Sequence, residues 1–428
     1  MKAVIMAGGK GTRLVEITKD EIPKPMAKMQ GKPILQRVIE SLKSYGVDEV
    51  YITVGHLHEK IEDYFKDGKD FQVKINYLVE TQPLGSAGAL YYLKDKIEDD
   101  FIVCSGDTLF DINIDKMLNF HKKNNADATL LVRASNHPFD SDLIIQDENC
   151  QILGFDKKNN VRDYYYHNLA NAGFFILNPK TLNYFETLKK VGMEHDFINA
   201  LIEKGDRVFA YYSSEYIRDV GTPERFAQSE NDLLNGKTWA RNYKNKQKAI
   251  FIDRDGVINK YKGFIKNQEE LEIFDFVYDA LKKINKSEYL AIIVSNQPVL
   301  ARGDCTKDEL DQIFKKMETL LGLRGVYFDA IYYCPHHPHK GFEGEVPQLK
   351  IECDCRKPKI GMLLKAQEKF NLDFEKCWMI GDTNLDIQTG INAGIKTIKV
   401  NSGKVEEEVL PSTYTTENFA SAVDIILG

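Results

Sequence analysis

Three groups of residues carry chemistry that the rest of the sequence must position. Near the amino end, Gly8-Gly9-Lys10-Gly11-Thr12-Arg13 follows a short apolar run. Bare backbone N–H groups there can approach a phosphate chain, and Arg13 adds a fixed positive charge. Two common phosphate loops are excluded: a dinucleotide turn needs a third glycine where Leu14 stands, and a P-loop needs Gly-Lys-Ser/Thr where Gly9-Lys10-Gly11 stands. In the second half, Asp253-Arg254-Asp255-Gly256 sets two carboxylates two residues apart after another apolar run. A calcium loop would want oxygen ligands at its fifth and twelfth positions and glycine at its sixth. The chain has Val257, Phe264 and Ile258 there, so an EF-hand fails. Finally, Cys334-Pro335-His336 and Cys353-Asp354-Cys355 supply three thiolates and an imidazole, a full tetrahedral set for Zn²⁺. With every position protein-filled, such an ion is structural; His337 or His339 could stand in for His336.

Short apolar runs of the buried-strand type deliver these groups: Ala3 to Ala7, Val50 to Val54, Phe101 to Cys104, Ala249 to Ile252, Leu290 to Val294 and Trp378 to Ile380. Amphipathic stretches of helical period lie between them, such as Leu35 to Leu42 and Leu310 to Leu321. The alternation predicts α/β domains with mainly parallel sheets, whose ligands collect beyond the carboxyl ends of the strands. A chain of 428 residues exceeds what one core usually supports. The expected division is a first domain over 1–235, a linker over 236–247 and a second domain over 248–428. The polar stretch from Asn231 to Lys248 reads as an exposed connection or a solvated surface helix.

Composition narrows the function classes. No apolar run approaches the roughly 18 residues needed to span a bilayer. The apolar stretch in Met1 to Ala7 is too short for a secretory signal, so a cytoplasmic protein is expected. Seven cysteines, three of them between positions 334 and 355, suit metal binding better than a disulfide framework. A net charge of −7 argues against nucleic acid or another polyanion as partner, leaving small-molecule phosphates bound locally. A homo-oligomer stays open.

Five further segments follow the opening glycines in order: Pro23-Lys24-Pro25-Met26, Leu84 to Leu90, Ser105-Gly106-Asp107, Asn171-Ala172-Gly173-Phe174 and Asp219-Val220-Gly221-Thr222-Pro223. The set resembles the sugar-1-phosphate nucleotidyltransferase family over residues 1 to 235. The resemblance implies that a sugar phosphate attacks the α-phosphorus of a nucleoside triphosphate and pyrophosphate leaves. Such a reaction calls for alignment and charge stabilisation rather than a covalent nucleophile. Gly8, Gly9, Gly11 and Arg13 would meet the leaving phosphates, Lys24 the α-phosphate, and Asp107 and Asp219 a Mg²⁺. Gln82 and Gly85 would lie at the base, and Asn171 and Gly173 at the sugar. Where the family has Glu-Lys-Pro, this chain has Lys157-Lys158-Asn159, so Lys158 is either the sugar-phosphate ligand or part of a solvated pair.

The Asp253-Arg254-Asp255-Gly256 segment, with Ser295-Asn296-Gln297, Lys357 and Ile380-Gly381-Asp382-Thr383, resembles the haloacid dehalogenase phosphatases. That resemblance makes Asp253 the nucleophile and Asp255 the general acid and base. Asp253, Asp382 and the main-chain carbonyl of Asp255 would hold Mg²⁺; Ser295 and Asn296 would bind the phosphoryl oxygens, and Lys357 would neutralise charge. With the Cys334, His336, Cys353 and Cys355 set and Arg356 next to it, the match narrows to heptose 1,7-bisphosphate 7-phosphatases. Histidinol-phosphate phosphatases share most of these motifs. Joined head to tail, the halves imply a bifunctional enzyme that makes GDP-heptose from GTP, because known ADP-heptose synthesis uses an adenylyltransferase of another fold. The alternatives are a histidinol-phosphate-type phosphatase fused to a different transferase, or a sugar-nucleotide-binding regulator with one inactive domain.

Overall fold

The computed structural model describes residues 1–9, 12–404, 406–408 and 410–428. Gly11, expected at the phosphates, lies outside the described residues. The chain forms two compact units, the first made of Met1–Arg133, Asp142–Lys157 and Ala170–Asn242, the second of Ala134–Ser141, Lys158–Leu169 and Tyr243–Gly428.

In the first unit the strand Lys2–Met6 lies between Glu49–Val54 and Phe101–Ser105, parallel to both. Lys74–Val79 extends the parallel set beyond Glu49–Val54. Lys2–Met6, Glu49–Val54 and Phe101–Ser105 show the near-continuous burial of strands covered on both faces, while the edge strand Lys74–Val79 is only partly buried. Helix Ile34–Ser44 buries Leu35, Val38, Ile39 and Leu42, the spacing of one helical face. On the other flank Ala170–Leu177 runs antiparallel to Phe101–Ser105. The reversal makes the sheet mixed and brings the start of that strand to the edge where the parallel strands end.

The second unit is built on a parallel sheet in the order Ala330–Cys334, Tyr289–Asn296, Lys248–Ile252, Trp378–Gly381, Lys396–Val400, Tyr414–Thr416. Lys248–Ile252 sits inside it, so the loops after it and after its two neighbours meet at one edge. Helix Lys307–Leu323 starts at a capping box in which Thr306 and Glu309 satisfy each other's backbone N–H groups.

Helix Pro223–Leu234, capped by Thr222, runs into the connecting stretch, and the short helix Lys237–Ala240 follows it. Asn242 is buried in the first unit and donates from its amide to Asp111 (2.6 Å) and Tyr45 (3.0 Å). Tyr243, buried in the second, packs edge-on to Phe370, and Asn371 donates to the carbonyls of Tyr243 and Asn245. Polar side chains here thus meet protein partners in part, while Leu234 and Trp239 stand exposed.

Nothing in the sequence announced that Ala134–Ser141 and Lys158–Leu169 belong to the second unit. Tyr166 N–H donates to the Thr319 hydroxyl (2.9 Å) on helix Lys307–Leu323. The His167 ring is held between Asp311 (2.8 Å) and Glu318 of the same helix. Burial alone would lower the His167 pKa, but the two carboxylates raise it to about 10. A histidine titrating higher folded than unfolded stabilises fully below its unfolded pKa, about 6.5, and the contribution is lost as pH rises through about 10. The melting-temperature gap between the parent chain and His167→Gln is therefore expected to be widest near pH 6 and to close by about pH 10. A gap that grows with pH would contradict the clamp.

Candidate active sites

A cavity of about 710 Å³ opens at the edge where Lys2–Met6 and Phe101–Ser105 end, lined among others by Gly8, Gly9, Arg13, Gln82 and Gly85. Gly85 has φ +77°, and a Cβ there would fall 2.5 Å from the Val191 carbonyl oxygen. Only glycine fits such a position. The loop is stitched in place by Ala87 N–H to Val191 O, Val191 N–H to Leu84 O and Met193 N–H to the Ser86 hydroxyl. Glu80 approaches Gly8 from across the cavity, and burial raises its carboxyl pKa. Sequence reasoning missed it; its only signal was its place at the end of Lys74–Val79.

Lys24 is buried and makes ion pairs with Asp107 and, at 3.3 Å, with Asp219. These acids, distant in sequence, converge because Tyr216–Asp219 runs antiparallel to Thr108–Asp111 with Asp219 opposite Thr108. Ser105 donates its hydroxyl to Asp107, and Arg225 reaches the second oxygen of Asp219 at 2.9 Å. The ammonium supplies between two carboxylates the positive charge that a Mg²⁺ would bring, and the hard oxygen donors suit that ion. Arg225 was not foreseen. Asn171 and Gly173 begin Ala170–Leu177; the Phe174–Cys104 pairing sets Gly173 level with Ser105. Asn171 donates to Glu194 (2.9 Å), another residue the sequence did not single out. Lys158 opens the segment Lys158–Leu169, which belongs to the second unit.

In the second unit Asp253 follows strand Lys248–Ile252 and Asp382 follows Trp378–Gly381. Oxygens of Asp253, Asp382 and Asp386 lie within 4.8 Å of one another, and all three residues are buried. Lys357 is inserted among them, 2.7 Å from Asp253 and 2.5 Å from Asp386. Burial would lower the lysine's pKa, but the two carboxylates hold it above the ordinary range. Burial and the neighbouring Asp386 push Asp382 up to about 7. One Asp382 oxygen accepts from Lys404 N–H, while the other is buried without a hydrogen-bond partner among the described residues. A buried orphan carboxylate oxygen beside two more carboxylates fits a hard cation such as Mg²⁺. Asp386 was missed because it doubles as a helix cap, accepting from the N–H and hydroxyl of Thr383.

The Asp255 carboxyl stands outside this cluster, bound to Arg254, Gln297 and Asn259. Asn296 grips Lys357 through both main-chain groups, at 3.0 and 3.2 Å, and the Ser295 hydroxyl accepts from Gln297. The Cys334, Cys353 and Cys355 sulfurs lie 3.2–3.6 Å apart, with His336 Nδ1 3.4–3.8 Å from two of them. A zinc–sulfur bond of about 2.3 Å implies tetrahedral edges of about 3.8 Å, so the set fits such an ion after small adjustments. His337 turns instead to the His339 carbonyl. Arg356 donates to the His336 carbonyl at 3.0 Å, which ties it to the cluster.

Fold and constellations define a chain with a nucleotidyltransferase unit and a haloacid dehalogenase-type phosphatase unit. Residues 2–236 match the nucleotidyl transferase family, and residues 354–423 the HAD-hydrolase-like family. The D-glycero-beta-D-manno-heptose-1,7-bisphosphate 7-phosphatase of Escherichia coli strain K12 is 38% identical over 176 residues, 41% of this chain and 87% of that protein. Two solved structures are similar. HddC from Yersinia pseudotuberculosis complexed with GMP-PN is 25% identical, covers 54% of this chain and 99% of its own, and has a TM-score of 0.46. The D,D-heptose 1,7-bisphosphate phosphatase from B. bronchiseptica, complexed with magnesium and phosphate, is 29% identical, covers 42% and 98%, and has a TM-score of 0.38. The chain belongs to the nucleotidyl transferase family and, through its second unit, to the heptose bisphosphate phosphatases.

Gly256 has φ +84°, and a Cβ on it would stand 2.4 Å from the Asp382 carboxylate. Gly256→Ala is expected to cost more than about 1 kcal/mol of stability and to abolish phosphate release while nucleotidyl transfer persists. Assay of both activities on one preparation, with a melting curve, checks this.

Proposed function

We propose that this chain removes the 7-phosphate of D-glycero-D-manno-heptose 1,7-bisphosphate and transfers GMP from GTP to the heptose 1-phosphate left behind. The products are GDP-heptose, phosphate and pyrophosphate, formed in the cytoplasm where these phosphates reside. One observation carries the reading: each unit presents, where strands of its sheet end, a buried lysine bridging two aspartates, in a chain whose second half is 38% identical to a heptose bisphosphate phosphatase. The first reaction leaves intact the phosphate that the second must attack. GTP is chosen because ADP-heptose synthesis employs a different fold; the base rests on that resemblance alone.

In the phosphatase, an Asp253 oxygen bonds to phosphorus as the bond to the sugar oxygen breaks, and Asp255 delivers a proton to that oxygen. Asp255 then takes a proton from water attacking the aspartyl phosphate, which frees phosphate and restores Asp253. Lys357, with Ser295 and Asn296 beside it, neutralises and orients the phosphoryl oxygens. In the transferase, Arg13 and the backbone at Gly8 and Gly9 hold the departing pyrophosphate, and Lys24 neutralises charge at the α-phosphorus. Mg²⁺, held by Asp253, Asp382 and Asp386 in one site and by Asp107 and Asp219 in the other, would add charge neutralisation. Zinc on Cys334, His336, Cys353 and Cys355 would fix where Arg356 and Lys357 point.

Asp253→Asn should lose phosphate release by about 10²-fold or more and keep nucleotidyl transfer, and Asp107→Asn should do the reverse. Loss of both activities in either variant would contradict two separate sites. Chelation of zinc should depress phosphate release far more than nucleotidyl transfer; equal losses, or none, would argue against a loop-fixing role.

A further inference from the structure

Arg254 has no exposed surface, although it lies between two residues expected to do chemistry. Its Nε and Nη2 donate to Asp255 Oδ1 at 3.2 and 2.9 Å, and Nη2 also reaches Oδ2 at 2.8 Å. Gln297 closes the arrangement: its carbonyl accepts from Arg254 (3.1 Å) and its amide donates to Asp255 Oδ2 (3.0 Å). Behind the guanidinium lies the Phe314 ring of helix Lys307–Leu323, 5.5 Å away, itself stacked on Tyr333. A buried guanidinium is costly to desolvate, a cost that a surface-facing residue here would avoid. The Asp255 side chain nevertheless keeps 20% of its exposure while Arg254 has none. The carboxyl is thus gripped from behind and left open on one side.

We infer that Arg254, backed by Phe314 and linked through Gln297, is the positioning residue that aims the Asp255 carboxyl for proton transfer to the leaving oxygen. The inference rests on the phosphatase reading above. Arg254 touches neither substrate nor phosphorus; it acts through Asp255. In the first half-reaction the Asp253–phosphorus bond forms, the phosphorus–oxygen bond breaks, and the leaving oxygen gains the Asp255 proton. A sugar alkoxide needs that proton, whereas p-nitrophenolate leaves without it.

The test compares first-turnover release of heptose 1-phosphate from the 1,7-bisphosphate with the p-nitrophenol burst from p-nitrophenyl phosphate, in the full chain and its Arg254→Met variant. Nucleotidyl transfer and a melting curve report folding. Sugar release should slow about 100-fold with KM unchanged, while the nitrophenol burst changes by less than about threefold. Arg254→Lys, which keeps charge but not the fork, should recover part of the loss. Equal slowing with both substrates, or slowing with neither, overturns the inference. Should Arg254→Met fail to fold, Gln297→Leu decides by the same split. An unmutated chain that releases neither product sinks the phosphatase reading itself, a result distinct from equal slowing.

Discussion

A single ammonium, that of Lys357, stands 2.7 Å from Asp253 and 2.5 Å from Asp386 with 3% of its side chain exposed. It opposes the repulsion among carboxylates gathered where water is scarce, which together with burial pushes Asp253 and Asp382 above the ordinary carboxylate range. The lysine's own desolvation is offset only because two acids face it. Its position is therefore tightly specified: Asn296 fixes the main chain at 357, and Arg356 next to it is bound to the cysteine and histidine cluster. The rest of the second unit can be read as the means of bringing these groups to one edge of a parallel sheet.

The first unit meets the same constraint by another route. Lys24 bridges Asp107 and Asp219, but the acids arrive from a strand end and from an antiparallel pairing rather than from neighbouring parallel strands. Arg225 and Ser105 occupy the remaining oxygens. Two differently connected sheets thus each set a buried ammonium between two aspartates.

Much of this was legible in the sequence where the signal is local. Strand ends followed by glycine or aspartate announced both candidate sites, and the Cys334–His336 and Cys353–Cys355 spacings announced a cysteine and histidine cluster, which the fold brings together through His336 among the described residues. What stayed hidden depends on tertiary approach or on residues with two roles. Asp386 reads as a helix cap, and it is one, while its other oxygen binds Lys357. That the segment after Lys157 joins the second unit, where Tyr166 and His167 bind helix Lys307–Leu323, has no local signal either. The polar run around Asn242 suggested solvent, but the Asn242 amide is itself buried and bonds Asp111 and Tyr45. Composition reports polarity; it does not report which polar groups find each other.

The measurement that bears most directly on the central claim is a product analysis. The chain is incubated with heptose 1,7-bisphosphate, Mg²⁺ and an equimolar mixture of ATP, CTP, GTP and UTP, and the products are read by mass. One sugar nucleotide, GDP-heptose carrying no further phosphate, is expected, with phosphate and pyrophosphate in equal amounts. A nucleotide sugar that keeps its 7-phosphate, or phosphate release with no sugar nucleotide from any triphosphate, would contradict the account.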